Sequence, residues 1–224
     1  MDKCKNDFCV KNVPIFKDLE LNELKKINKL VKHKTYQKGE LIFMEGEIVE
    51  NIYILNSGRI KLTKTDKKGK EYILQLLNEG QFFGEFILFK EEKLSSTAEA
   101  LTDCELCLIS KNDLEELILN NPKISYRLLG ALSSRLKKAE DAIESLALKN
   151  AKQKTISLLV DLAKDEGKKV EKGIKFKLPL SREGLANFSG MTQETLSRKL
   201  SQLQDENLII IKNRKEIIIK EELL

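Results

Sequence analysis

Tryptophan is absent from this 224-residue chain, which holds only three prolines, four cysteines and a single histidine, with aromatic residues at 6%. Each shortage excludes something. With His33 as the single imidazole, a histidine-based metal centre is not expected, since metal sites usually draw on several His or Cys ligands, and neither is a Ser/His/Asp arrangement. No nucleophile and base are set out in a catalytic spacing, so the chain is not expected to be an enzyme. Long apolar runs are missing too. Leu158-Leu159-Val160 and Leu208-Ile209-Ile210-Ile211 fall far short of the roughly 18 residues a membrane span needs. Met1 to Asp7 carries acidic and polar residues where a secretory signal needs an apolar stretch, so the expected location is cytoplasmic. A large charge excess is also lacking. Forty Lys and Arg against 35 Asp and Glu give +5, too dispersed to demonstrate a nucleic-acid partner by itself.

What is present falls into zones. Leu21, Leu24, Ile27 and Leu30 recur at steps of three and predict a short amphipathic helix. From Tyr36 to Ile109 short β-prone runs alternate with turns at Gly39, Gly46, Ser57-Gly58, Lys68-Gly69, Glu79-Gly80 and Gly84, a texture that predicts an antiparallel barrel or sandwich with room for one small ligand. Phe82, Phe83, Phe86 and Phe89 are expected in its core, with the lining of a pocket for an apolar effector as the alternative.

A helix is predicted from Pro122 to Lys149, with proline where a first turn tolerates it. Leu129, Leu132, Leu136, Ala139, Ile143 and Leu146 are spaced 3, 4, 3, 4, 3, a heptad seam on a helix of about 40 Å. Such a seam calls for a partner helix, and a homodimer is favoured over packing on the chain's own barrel. Beyond Asn150 come a helix, a Gly/Lys-rich turn, a strand at Ile174 to Leu178, two short helices and a terminal hairpin. The resulting domain expectation is 1–121, 122–149 and 150–224.

Residues 181–200 read as a helix-turn-helix. Ser181 and Thr192 can cap its helices, Gly190 suits the tight turn, Ala186 lets the helices cross and Leu196 fills the angle between them. On the second helix Leu196, Leu200 and Leu203 share one face, while Glu194, Ser197, Arg198 and Ser201 share the opposite one. Arg198 can give two hydrogen bonds to guanine, Glu194 can accept from the cytosine amine, Gln193 can pair with adenine, and Ser197 can reach a base. The alternative for Glu194 and Arg198 is a solvated i,i+4 ion pair. Lys199, Lys212, Arg214 and Lys215 are the expected phosphate contacts. Seven basic and seven acidic side chains over 181–224 leave only a local basic rim, so binding is expected to need two half-sites about one helical turn apart.

In order and spelling these segments resemble the family of the cyclic-AMP receptor protein and the fumarate/nitrate reduction regulator. The resemblance runs through Pro14-Ile15-Phe16, Lys38 to Phe43, Ser57 to Leu62, Phe83-Gly84-Glu85, the long helix and Met191 to Leu200, and covers nearly the whole chain. It implies an α+β protein: an N-terminal antiparallel jelly-roll sensor domain of the cyclic-nucleotide-binding type, a dimerisation helix, and a C-terminal winged helix-turn-helix. It further implies a sequence-specific regulator that reads palindromic double-stranded promoter DNA and recruits or blocks RNA polymerase. In this family the Glu, Ser and Arg of a Glu-x-x-Ser-Arg element read the half-site, here Glu194, Ser197 and Arg198, in a spelling closer to the fumarate/nitrate branch.

The resemblance leaves the signal open. Gly84, Glu85 and Ser95 match parts of a cyclic-nucleotide pocket, but the arginine that pairs with the cyclic phosphate falls at Leu94, and Phe86 to Ala100 holds no arginine. That argues against cyclic AMP. Gly84 and Glu85 then read as turn-forming structure. The fumarate/nitrate branch implies a [4Fe–4S] cluster held by arm cysteines and one internal cysteine, whose place Cys107 takes; the arm here offers two, Cys4 and Cys9, where that branch has three, and a dithiol switch or inert thiols are the alternatives. Cys104 and Cys107 sit three apart on one strand and are not expected to face the same way. His33 is a candidate heme ligand or a solvated side chain. The other functional reading is a redox-sensing or ligand-binding protein whose output is not direct DNA binding.

Overall fold

The computed structural model describes residues 13–16, 19–88, 93–213 and 215–223. The chain divides into two compact units, Met1–Lys137 and Lys138–Leu224.

In the first unit a single turn at Pro14–Phe16 leads into α1 (Leu21–Leu30), whose start is closed by a reciprocal Glu20/Glu23 capping box. Leu24 and Ile27 are buried, but Leu21 and Leu30 are exposed. The apolar face is therefore half as long as its spacing suggests. Eight strands follow: β1 (Lys32–Tyr36), β2 (Leu41–Phe43), β3 (Asn51–Ser57), β4 (Ile60–Thr65), β5 (Glu71–Leu77), β6 (Phe82–Phe83), β7 (Thr97–Ala100) and β8 (Cys104–Ser110). They form two four-stranded antiparallel sheets, β1-β8-β3-β6 and β2-β7-β4-β5. This is the expected jelly-roll. β1 is an addition to the sequence reading. Its Lys-His-Lys-Thr side chains are all exposed, and it is a strand because it pairs along its whole length with β8. An exposed edge carrying lysines is also a guard against unwanted strand pairing.

Two apolar clusters fill this unit. One joins α1, Ile52, Ile54, Phe82, Cys107 and Ile109 to Ile124 and Leu128; the other holds Tyr36, Phe43, Tyr53, Phe83, Leu94, Cys104 and Leu106. Phe82 and Phe83 lie in the core as expected. Phe86 does not: it is two-thirds exposed, because the short 3₁₀ turn Glu85–Leu88 puts Glu85 and Ile87 inside instead. Phe89 lies outside the described residues.

After α2 (Lys111–Asn120), capped by Ser110, α3 runs from Pro122 to Leu148. Ile124 and Leu128 anchor its start in the barrel core. The second unit then has α4 (Ala151–Glu166), β9 (Lys168–Val170), β10 (Gly173–Lys177), α5 (Arg182–Phe188), α6 (Gln193–Asp205), β11 (Ile209–Ile211) and β12 (Glu216–Ile219). Its sheet order is β11-β12-β10-β9. β9 falls where the sequence reads as a Gly/Lys-rich turn; it is fixed by antiparallel pairing of Lys168 to Val170 with β10. Leu159, Phe176, Leu185, Ala186, Leu196, Leu200, Leu203 and Ile217 make one core beneath the helix-turn-helix. Among the described residues no helix is long and apolar enough to cross a membrane.

Candidate nucleic-acid interface

The local sequence builds α5 and α6 from their caps inward. Ser181 Oγ accepts from Gly184 N at 3.1 Å, and Thr192 Oγ1 accepts from Thr195 N at 3.2 Å, so each helix has a donor satisfied at its start. Between them Gly190 takes φ +65°, a left-handed conformation that other residues adopt at a cost. Met191 N donates to Ala186 O at 2.8 Å and closes the turn. Buried Leu196, Leu200 and Leu203 then fix which face of α6 is turned outward. At its far end Asn207 adopts φ +60°, the left-handed termination that asparagine tolerates best after glycine.

That outward face carries Glu194 and Arg198, both exposed, with Ser197 partly covered and Gln193 and Ser201 exposed beside them. Glu194 and Arg198 form no ion pair with each other among the described residues. Both heads are therefore open to a partner. Thr192, spent on its cap, presents the start of α6, where backbone N–H groups and the helix dipole favour a phosphate.

Lys199 is set apart from this stripe. Its Nζ donates to Gln202 Oε1 at 2.8 Å, Gln202 Nε2 donates to Glu206 Oε1 at 2.9 Å, and Lys152 Nζ on α4 reaches Glu206 at 2.6 Å. The chain of bonds braces α6 against α4, and Lys152 and Gln202 together hold the Glu206 carboxyl below its ordinary range. The β11–β12 wing is tied to α6 by Ile211 N donating to Gln204 Oε1 at 3.3 Å. Its tip is ordered by Asn213 Oδ1, which accepts from Lys215 N at 2.8 Å and Glu216 N at 3.0 Å, leaving Lys212 and Lys215 exposed. Arg214 lies outside the described residues.

Of the six seam residues, Leu129, Leu136, Ala139, Ile143 and Leu146 are exposed along α3. Leu132 is the exception. It is partly buried against the chain's own barrel core, because α3 begins by packing there through Ile124 and Leu128, and Leu132 lies one turn on from Leu128.

In the barrel Gly84 takes φ +83°, and a Cβ there would stand 3.2 Å from the Tyr53 ring and 3.3 Å from Asn51 O. The next residue is more than turn structure. Glu85 is 5% exposed, and one carboxylate oxygen pairs with Arg135 of α3; Arg135 Nη2 donates to Phe82 O at 2.6 Å and its guanidinium lies 5.1 Å from the centre of the Phe82 ring. The other oxygen, Oε2, is buried without a hydrogen-bond partner among the described residues. Sequence reasoning missed Arg135, since fifty residues separate it from Glu85, and an arginine flanking an apolar seam carries no signal of a buried partner. Ser95 is exposed, and Leu94 is buried with Tyr53 and Phe83, so an aliphatic side chain fills core space at the position where an arginine would be needed.

Cys107 and Cys104 go into separate cores, as their spacing implies. Cys104 Sγ donates to the carbonyls of Arg59 and Thr102, both at 3.1 Å, and burial pushes its thiol pKa up. Cys107 Sγ lies 3.7 Å from Nδ1 of exposed His33, its cross-strand neighbour. Cys4 and Cys9 lie outside the described residues. Among the described residues no group of three His, Cys, Asp or Glu side chains is placed to hold a metal ion.

Comparison with known proteins agrees with this geometry. Residues 33–121 match the cyclic nucleotide-binding domain and residues 153–223 the Crp-like helix-turn-helix domain. The chain is 31% identical over 189 residues to a global nitrogen regulator of Nostoc sp., covering 84% of this chain and 85% of that one. It is 34% identical over 179 residues to the cAMP-activated global transcriptional regulator CRP of Escherichia coli, covering 79% and 84%. A solved structure of a CRP/FNR-family transcriptional regulator from Thermus thermophilus superposes with a TM-score of 0.71 at 25% identity, covering 86% of this chain and 97% of that one.

Proposed function

The chain belongs to the Crp/Fnr family and is a DNA-binding transcriptional regulator with a cyclic-nucleotide-binding-like sensing domain; from that premise we propose that it works as a homodimer reading a palindromic promoter site. The observation that carries the reading is the exposed Glu194/Arg198 face, unpaired among the described residues, on a helix whose other face is locked in the core. Glu194, Ser197, Arg198 and Gln193 read bases, while the start of α6 at Thr192, with Lys212, Arg214 and Lys215, holds phosphates. Lys199 contributes charge from the flank. The exposed seam of α3 supplies the dimer, and RNA polymerase is the downstream partner.

Substituting Arg198→Ala and Glu194→Ala tests this in a titration with a half-site-containing duplex. Truncating either side chain is expected to cost about 1–3 kcal/mol of binding free energy and to relax preference at one base pair. Unchanged affinity and unchanged salt dependence in both variants would refute direct base reading.

The sensory signal is proposed to enter the barrel without a cyclic phosphate, since Leu94 offers no guanidinium and is part of the apolar core. Arg135 is placed to carry it outward, because it joins the barrel turn at Glu85 to the long helix. For the signal itself, an iron–sulfur cluster on Cys4, Cys9 and Cys107 is a second reading. It rests on the resemblance together with the place of Cys107, which is buried in the barrel core with its Sγ 3.7 Å from His33 Nδ1 on the neighbouring edge strand; Cys104 faces the other core and is not part of the set. When bound, such a cluster would supply oxidation-sensitive iron. Anaerobic purification with iron and sulfide assays tests it: a visible band that bleaches in air supports a cluster, and colourless, iron-free protein that binds DNA rejects it.

A further inference from the structure

Leu146 stands two residues before the end of α3 and belongs to the exposed seam, yet one end of its side chain rests on the helix-turn-helix. Its Cδ2 lies 2.6 Å from where a Cβ on Gly190 would be, so the leucine methyl sits close against the glycine at the turn. More than half of the residue remains exposed. The contact is held from the backbone side as well. Lys154 Nζ donates to Leu146 O at 3.1 Å, Lys149 Nζ donates to Ser157 Oγ at 2.7 Å, and Asn150 and Gln153 form a reciprocal capping box at the start of α4. These bonds fix the corner between α3 and α4 and keep the leucine over the turn.

We propose that Leu146 is a positioning residue for the recognition helix: one methyl props the turn at Gly190, and its exposed flank is completed by the seam of the partner helix. The inference rests on the homodimer reading. An exposed leucine changes rotamer in picoseconds to nanoseconds, whereas a seam residue seated between four residues of a facing helix loses that freedom. Pairing of the two α3 helices thus stiffens the turn from which α6 departs. Leu129, Leu136 and Ile143 contribute to pairing, and Leu146 passes it on.

Hydrogen exchange at the amides of Gly190 and Met191 reads the turn directly, since they donate to Asn187 O and Ala186 O. The full-length wild type is compared with Leu136→Glu, which places a charge in the seam and yields the monomer, and with Leu146→Ala and Leu146→Met, with oligomeric state followed by sedimentation. Severalfold stronger protection of the two amides is expected in the wild-type dimer than in the Leu136→Glu monomer. In a Leu146→Ala dimer it should fall to the monomer level, and Leu146→Met should restore it. Equal protection in dimer and monomer, or wild-type protection in the Leu146→Ala dimer, overturns the inference and leaves the dimer intact. A parallel loss of protection across α4 and α6 also overturns it, as plain destabilisation. A wild type that sediments as a monomer at every concentration removes the homodimer reading, and the inference with it.

Discussion

Replacing Arg135 with Met isolates the buried charge pair of the sensory unit. Glu85 is 5% exposed, its Oε2 has no partner among the described residues, and its other oxygen pairs with Arg135. Removing the guanidinium takes away the ion-pair partner of that carboxylate and strips Phe82 O of a 2.6 Å donor. Breaking a buried ion pair from one side typically costs about 3–5 kcal/mol, a large share of the roughly 5–15 kcal/mol that holds a domain together. The companion change Glu85→Gln removes the charge while keeping the shape. The double variant Glu85→Gln/Arg135→Met buries no ion and should recover most of the loss, giving a coupling energy of about 2–3 kcal/mol. Urea unfolding followed by circular dichroism supplies the numbers, with an unchanged m-value confirming that stability alone moved. An Arg135→Met protein within about 0.5 kcal/mol of wild type, or a double variant no better than the single one, would refute the reasoning.

Burial, reinforced by Tyr36 and Glu47, pushes the Tyr53 phenol from its ordinary 10.0 to about 12. The folded protein then holds this proton more tightly than the unfolded chain, so the contribution is intact below pH 10 and is lost as pH rises from about 10 to about 12. Over that window wild type should lose roughly 2–3 kcal/mol more than Tyr53→Phe in paired unfolding curves, and superimposable curves would contradict it. Leu196→Ala empties a fully buried position between α5 and α6 and should cost about 2–5 kcal/mol in the unfolding of the second unit, abolishing DNA binding at a temperature where wild type is folded. Lys212→Ala should weaken binding to specific and unrelated duplexes alike and lower the salt slope by about one, whereas a sequence-selective loss would move Lys212 from phosphate to base contact.

Much of the site was legible because its determinants are local. A cap at Ser181, a cap at Thr192, a glycine at 190 and leucines three and four apart on α6 each act within one or two helical turns, so they name the helix-turn-helix and its outward face without any tertiary information. The heptad spacing of α3 was legible for the same reason. Periodicity could not show that Leu132 would turn partly to its own barrel or that Leu146 would touch Gly190, since spacing reports which residues share a face and not what covers it. Phe86 shows the complementary failure: hydrophobicity placed it inside, and the geometry of a single 3₁₀ turn put a glutamate there in its stead.

By itself, then, the sequence determined the order of elements, the turn and the polarity of the recognition face, all of them consequences of short-range sterics, capping and apolar period. Only the tertiary structure decided that Lys32 to Tyr36 and Lys168 to Val170 are strands, since their side chains carry little apolar pattern and their backbone bonds are made to partners brought from elsewhere in the chain. The pairing of Glu85 with Arg135 belongs to the same class. A buried charge is tolerated only where an opposite charge meets it, and that meeting depends on how a long helix lies on a barrel.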